Sequence, residues 1–238
     1  MSRTPEAYAA AFEAERKNTY PVIDALETRY GYAIDRELLE SAARVLACPL
    51  KRNPPNWQHG RVVYALARHR LAMGSVDMLF ESGTAKGFAT VCMAHACWDA
   101  GMAHTSIWSR DIIDPNSAEP RNSVMDGQVE NIWGYVRPFL PPACMIAFTQ
   151  VGDDAHFVLS PRRISFAFVD GAHTFEGVKA DITMIVPRQR EGDLILFDDF
   201  HLPPVADAVL ACLPEDYVVE RVKLKENREY AIAVKAEI

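Results

Sequence analysis

Residues 165–201 read SFAFVDGAHTFEGVKADITMIVPRQREGDLILFDDFH, and this stretch decides the fold. A short apolar run breaks at Asp170, apolar residues then recur at helical spacing, and after a turn a second apolar run follows: strand, loop, helix, turn, strand. A crossover of this kind is right-handed and lays its two strands parallel in one sheet, about 4.8 Å apart where they are neighbours. Asp170 ends the first strand, and Asp198 with Asp199 ends the second. All three carboxylates are therefore expected at the carboxyl edge of the sheet, where open α/β sheets bind ligands.

The same alternation extends outward. Strands are expected at 76–81, 104–109, 144–149, 164–169 and 193–198, with helices at about 87–99, 125–138, 175–186 and 205–213. Tyr217 to Leu224 and Tyr230 to Val234 are two further strand-like runs joined only by KENRE, a link so short that it demands an antiparallel hairpin. Five strands linked by helices and closed by a hairpin is the layout of the α/β, Rossmann-like seven-stranded methyltransferase sheet, mostly parallel with a C-terminal antiparallel hairpin. Ahead of it, residues 1–72 form an N-terminal helical region, punctuated by Pro21, Gly31 and the adjacent prolines of KRNPPNW. That region is expected to serve as acceptor pocket, lid or oligomer contact, and residues 73–238 as the cofactor-binding domain.

Composition excludes several classes. The chain has 238 residues and a net charge of −7, which argues against a polyanionic partner such as nucleic acid. Arg61, Arg68 and Arg70 are read as a solvated helix surface. No stretch approaches the roughly 20 apolar residues of a membrane span, and the N-terminus lacks the basic-then-apolar layout of a signal peptide, so a cytoplasmic protein is expected. The five scattered cysteines look like buried free thiols.

The segment LFESGTAKGFA, residues 79–89, is a strand running through a glycine loop into a helix, a signature of nucleotide-cofactor sites. Gly83 allows a sharp turn, and Gly87 is expected to let the helix start pack against the strand. Glu81 stands where a dinucleotide fingerprint would begin. A carboxylate there repels a pyrophosphate but suits a ligand carrying an ammonium and a sulfonium, as S-adenosylmethionine does. Thr84 and Phe88 are counted with Glu81, Gly83 and Gly87 as cofactor-binding residues. Asp111, at the tip of the second strand, is placed to accept ribose hydroxyls, with Asp114 as competitor; in VGDD, Asp153 or Asp154 is placed to meet the adenine amino group.

Crowded carboxylates repel unless a positive charge sits among them, and an oxygen ligand set suits magnesium or another hard divalent cation. Asp170, Asp198 and Asp199 are the expected metal ligands, with Asp170 shared by the catalytic and cofactor sites. His173, three residues after Asp170, is the expected general base, and His201 its rival.

The runs FVDGAHTFEGVKADI and GDLILFDDFH, with LFESGTAKGFA, resemble class I methyltransferases of the macrocin and mycinamicin sugar O-methyltransferase group and the cephalosporin hydroxylase-like proteins. The resemblance spans roughly Val76 to the C-terminus. It implies magnesium-dependent methyl transfer to a hydroxyl of a small-molecule acceptor, a sugar or natural product, with Asp170, Asp198 and Asp199 at the metal positions and His173 at the base position. Members often carry Glu-Asp where this chain has Asp198-Asp199. Two alternatives stand beside this reading: a cofactor-binding protein without methyl transfer, and an NAD-dependent oxidoreductase.

Overall fold

The computed structural model describes residues 4–51, 55–153, 155–225 and 227–237. The N-terminal helices are α1 (Pro5–Arg16), α2 (Pro21–Tyr30), α3 (Arg36–Leu46) and α4 (His59–Ala72). Their ends follow local chemistry. Thr4 and Asp35 accept from backbone N–H groups of the first turns of α1 and α3, and Gly31 closes α2 in the left-handed conformation.

The sheet contains β1 (Met78–Ser82), β2 (Ser106–Asp111), β3 (Met145–Gln150), β4 (Ile164–Val169), β5 (Leu194–Phe197), β6 (Tyr217–Lys225) and β7 (Arg228–Lys235) in the order β3-β2-β1-β4-β5-β7-β6. The first five strands are parallel; β7 runs antiparallel to β5, and β6 to β7. The expected layout is thus found. Strand order reverses between β1 and β4, and the crevice of such a sheet opens at that switch point.

Alternation along the strands feeds two cores. Leu79, Phe166, Phe168, Leu194 and Leu196 face one cluster with α4, α5 (Phe88–Asp99) and residues of α1–α3. Phe80, Ala167, Ile195 and Phe197 face the other, with α8 (Phe175–Ile185) and α9 (Pro203–Cys212). The N-terminal helices therefore share a continuous core with the sheet. Arg70 of α4 and Arg163 both donate to Asp193, whose side chain is fully buried. Arg61 likewise pairs with Glu27 and Asp24. This corrects the expectation of a solvated arginine face: Arg61 and Arg70 are buried in ion pairs, and Arg68 lies over the Tyr32 ring.

The helix expected at 125–138 shrinks to α6 (Ile132–Val136) and a following 3-10 turn, Arg137–Phe139. Asp126 is the reason. Its carboxylate accepts from the backbone N–H of Arg121 and Ser123 and from the Tyr135 hydroxyl, and Gly127 follows at φ 78°, so a side-chain-capped turn outcompetes the helix. A short helix not expected from the sequence, α7 (Ala155–Val158), precedes β4, and α9 begins on Pro203, in the first turn where a missing N–H costs nothing. All five cysteines are free, and three are buried. Among the described residues no helix is long and apolar enough to cross a membrane.

Candidate active site

The site is built on the ends of β1, β4 and β5. Gly83 follows β1 at φ 94°, and a Cβ there would lie 2.2 Å from the Asp170 carbonyl oxygen; only glycine lets the two strand ends meet this closely. The Asp170 N–H donates to the Ser82 carbonyl across the same junction. Gly87 caps α5 at φ 80°, but its close neighbour is Val136 of α6, at 2.4 Å from a built Cβ, not the strand as expected. The glycine is needed because α6 folds down onto the loop.

A cavity of about 830 Å³ opens above this junction, within the size range of small-molecule sites. Glu81, Gly83, Thr84, Phe88, Asp170, His173, Asp198, Asp199 and His201 line it, as do residues contributed by the N-terminal helices and the β6–β7 hairpin. Glu81 is almost wholly buried; Thr90 and Ser109 hydroxyls both donate to one of its oxygens, and Thr84 joins Ser109 at 2.6 Å. Burial pushes its carboxyl up to about 8, against those hydrogen bonds. A cationic ligand group would favour the ionised form.

Asp111, Asp114 and Asp153 are not among the lining residues. Asp111 does end β2, but its carboxylate accepts from the N–H groups of Ala85 and Ile113 and so holds the glycine loop in shape. Asp114 accepts from the Asn116 N–H in a local turn. Asp153 is exposed beyond β3, and Asp154 lies outside the described residues.

Asp170, His173 and Asp199 form a group whose ligand-type atoms lie within 4.8 Å of one another. His173 Nε2 is 3.2 Å from Asp199 Oδ2 and 3.6 Å from Asp170 Oδ1. Neighbouring ligands of an octahedral ion bound at about 2.1 Å are about 3 Å apart, so this oxygen and nitrogen set fits a divalent cation. Asp198 is the third expected ligand and lines the same cavity. It is absent from that group; its carboxylate accepts from the Asp199 N–H and faces Arg228 at 3.8 Å. Burial, then the Asp170 charge, raises it well above the carboxylate range. Asp199 adopts φ 51° and accepts from Arg228 at 2.6 Å, so Asp198 and Arg228 together fix its orientation. The Asp170 carboxylate holds His173 above the ordinary histidine value, against burial, with Asp199 adding to the effect. His201 Nδ1 is buried without a hydrogen-bond partner among the described residues, 3.8 Å from Asp199.

Several lining residues were not anticipated. His59 stacks on Phe168, sets its edge against Phe88 and directs Nδ1 at the Asn56 carbonyl, so Nδ1 carries the proton and Nε2 is an acceptor. Burial lowers it to about 4, and the ring is neutral. Arg228 was hidden in the hairpin link. Lys86, inside the quoted loop, carried a readable signal: a long cation between two glycines.

A family model described as "Methyltransferase domain" matches residues 80–200, half of the chain, from within β1 to the turn after β5. The chain belongs to this methyltransferase family. The match sets aside the oxidoreductase alternative. No curated protein sequence matches the methyltransferase. Solved structures do resemble it: the O-methyltransferase NovP (16% identity, TM-score 0.61, covering 78% of this chain and 82% of that one), and the O-methyltransferase TomG from Streptomyces achromogenes, involved in tomaymycin synthesis and solved with S-adenosylmethionine (13%, 0.56, 86% and 92%). A third is an O-methyltransferase from Bacillus cereus in complex with S-adenosylhomocysteine (11%, 0.53, 92% of each chain). At these identities the likeness shows a shared fold.

Proposed function

We propose that this methyltransferase transfers the methyl group of S-adenosylmethionine to a hydroxyl of a small-molecule acceptor, with a divalent cation at the site. The observation that carries the reading is the meeting of Asp170, His173 and Asp199 on the wall of the same cavity that the glycine loop and Glu81 line. The O-methyltransferase neighbours support the hydroxyl as acceptor.

When bound, the cofactor supplies an electrophilic methyl group and the cation makes a nearby hydroxyl more acidic. The rest falls to the chain. Glu81 would hold the cationic end of the donor, whose charge favours its ionised form. Asp170 and Asp199 would hold the cation, Asp198 and Arg228 hold Asp199, and His173 Nε2 accepts the hydroxyl proton. The aromatic wall of buried Phe88 and Phe168 and half-buried His59 excludes water, and positioning of the two reactants provides most of the rate. The N-terminal helical region would supply acceptor-side residues such as Tyr20, Asn56 and His59.

The spacing of Asp170, His173 and Asp199 also supports a second role for His173, as a metal ligand. Metal affinity separates the two: His173→Ala retains it if the residue is a base and loses about tenfold or more if it is a ligand.

The test of the main reading is methyl transfer from labelled S-adenosylmethionine to a panel of vicinal diols and catechols, with and without excess chelator. Transfer that stops with chelator and in Asp170→Asn, while S-adenosylhomocysteine still binds, is the expected result. Full activity in chelator would remove the cation; tight cofactor binding with no transfer to any acceptor would favour a binding protein.

A further inference from the structure

Part of the cavity wall is cationic in a chain whose net charge is −7. Lys86, between Gly83 and Gly87, lines the cavity and is only 4% exposed. Its ammonium has three donors, yet its hydrogen bonds go to the carbonyls of Arg121 and Asn122, both at 3.4 Å, the outer limit of such a bond. Among the described residues no carboxylate comes within ion-pair distance of it, although other cations of the protein are paired at well under 3.5 Å.

The surroundings add positive charge. Burial, with Lys51 on the same wall and Arg121 adding to it, lowers Lys86 to about 8; Asp126 opposes them, but its carboxylate already serves two backbone N–H groups and Tyr135. Lys225 is taken by Tyr20, whose hydroxyl donates to Glu15, and Glu15 also accepts from Asn18. A buried ammonium without a counterion is costly to the fold, and such a cost persists where a ligand supplies the missing charge.

We propose that Lys86, with Lys51 beside it, anchors a carboxylate of the cavity's ligand. The inference rests on the methyl-transfer reading for the ligand's identity, which allows two sources: the amino-acid carboxylate of the donor, or an acid group on the acceptor. Because Lys86 is three residues beyond Gly83, the anchored group belongs to whichever part of the ligand lies against the glycine loop.

Calorimetry on the full chain separates the sources. Wild type, Lys86→Met, Lys86→Arg and Lys51→Met are titrated with S-adenosylhomocysteine and with S-adenosyl-3-thiopropylamine, which keeps the amine and lacks the carboxylate. In saturating S-adenosylhomocysteine the same proteins are titrated with 3,4-dihydroxybenzoate and its methyl ester. If the donor's carboxylate is anchored, wild type prefers S-adenosylhomocysteine to the amine by about tenfold or more, Lys86→Met erases the preference and Lys86→Arg keeps it. If the acceptor's acid is anchored, S-adenosylhomocysteine affinity is unchanged in Lys86→Met and the preference for acid over ester disappears. Methionine preserves the buried stem, and a thermal melt confirms that each variant is folded. Wild type showing neither preference, or Lys86→Met retaining what wild type shows, overturns the proposal. Failure of wild type to bind either nucleoside would instead refute the donor reading, and the acid and ester titrations, repeated without nucleoside, would still decide the role of Lys86.

Discussion

Replacing Gly83 by alanine should cost the fold far more than the same change at Gly74, although both glycines have positive φ. At Gly74, φ 76°, a Cβ meets nothing within 4 Å, so the cost is backbone strain alone, about 1–2 kcal/mol. At Gly83, φ 94°, the added carbon would lie 2.2 Å from the Asp170 carbonyl oxygen, 2.5 Å from its carbon and 2.8 Å from the Gly171 Cα. These are main-chain atoms that no rotamer change can move. Relief requires β1 and β4 to part by about 1 Å at their ends, which adds about 1–3 kcal/mol for overpacking and about 1 kcal/mol for the strained bond from Asp170 N–H to Ser82. Gly83→Ala should therefore lose about 3–6 kcal/mol against about 1–2 kcal/mol for Gly74→Ala, a melting temperature lower by roughly 10 °C for a chain of this size. Urea unfolding followed by circular dichroism measures both variants. Since Asp170 moves with the clash, S-adenosylhomocysteine affinity should fall in Gly83→Ala and hold in Gly74→Ala. Equal stability of the two variants, within about 0.5 kcal/mol, would refute the close approach at the switch point.

Arg70→Met leaves the fully buried Asp193 with Arg163 and the Arg190 N–H and should destabilise the protein by about 3–5 kcal/mol, measured in the same urea assay; a loss below about 1 kcal/mol would mean that Asp193 is adequately held without α4. Glu81 keeps its proton in the fold up to about 8, whereas an unfolded glutamate loses it near 4.3, so between those values the native state binds the extra proton and stability falls as pH rises. Wild type should accordingly lose stability relative to Glu81→Gln across that window, and parallel stability curves for the two proteins would contradict the buried, protonated carboxyl. Without a cation the Asp170 and Asp199 carboxylates raise His173 above its ordinary value, and a cation on them opposes that raise; in the loaded enzyme turnover should climb with pH as the His173 base form appears. The climb should vanish in His173→Asn; an unchanged pH profile in that variant would exclude His173 as the base.

Much of the fold was legible because it rests on short-range patterns. Apolar runs alternating with helical blocks set the five parallel strands, and the brevity of KENRE forced the hairpin. The helix expected at 125–138 failed for an equally local reason that apolar spacing does not register: Asp126 satisfies more backbone donors as a turn than a helix would offer. In the site, Glu81, Gly83, Asp170 and His173 were readable, since strand ends in a parallel sheet all point to one edge.

Sequence alone determined which carboxylates reach that edge, because strand direction and crossover hand depend on chain order. Only tertiary structure decided which of them face one another. Asp198 and Asp199 are adjacent in the chain, yet the φ of 51° at Asp199 sends one to His173 and Arg228 and leaves the other buried, 3.8 Å from the same guanidinium, which arrives from β7, a strand whose pairing with β5 no local pattern encodes. His59 and Lys86 took their roles in the same way, from burial beneath neighbours distant in sequence, where the loss of water sets their charge.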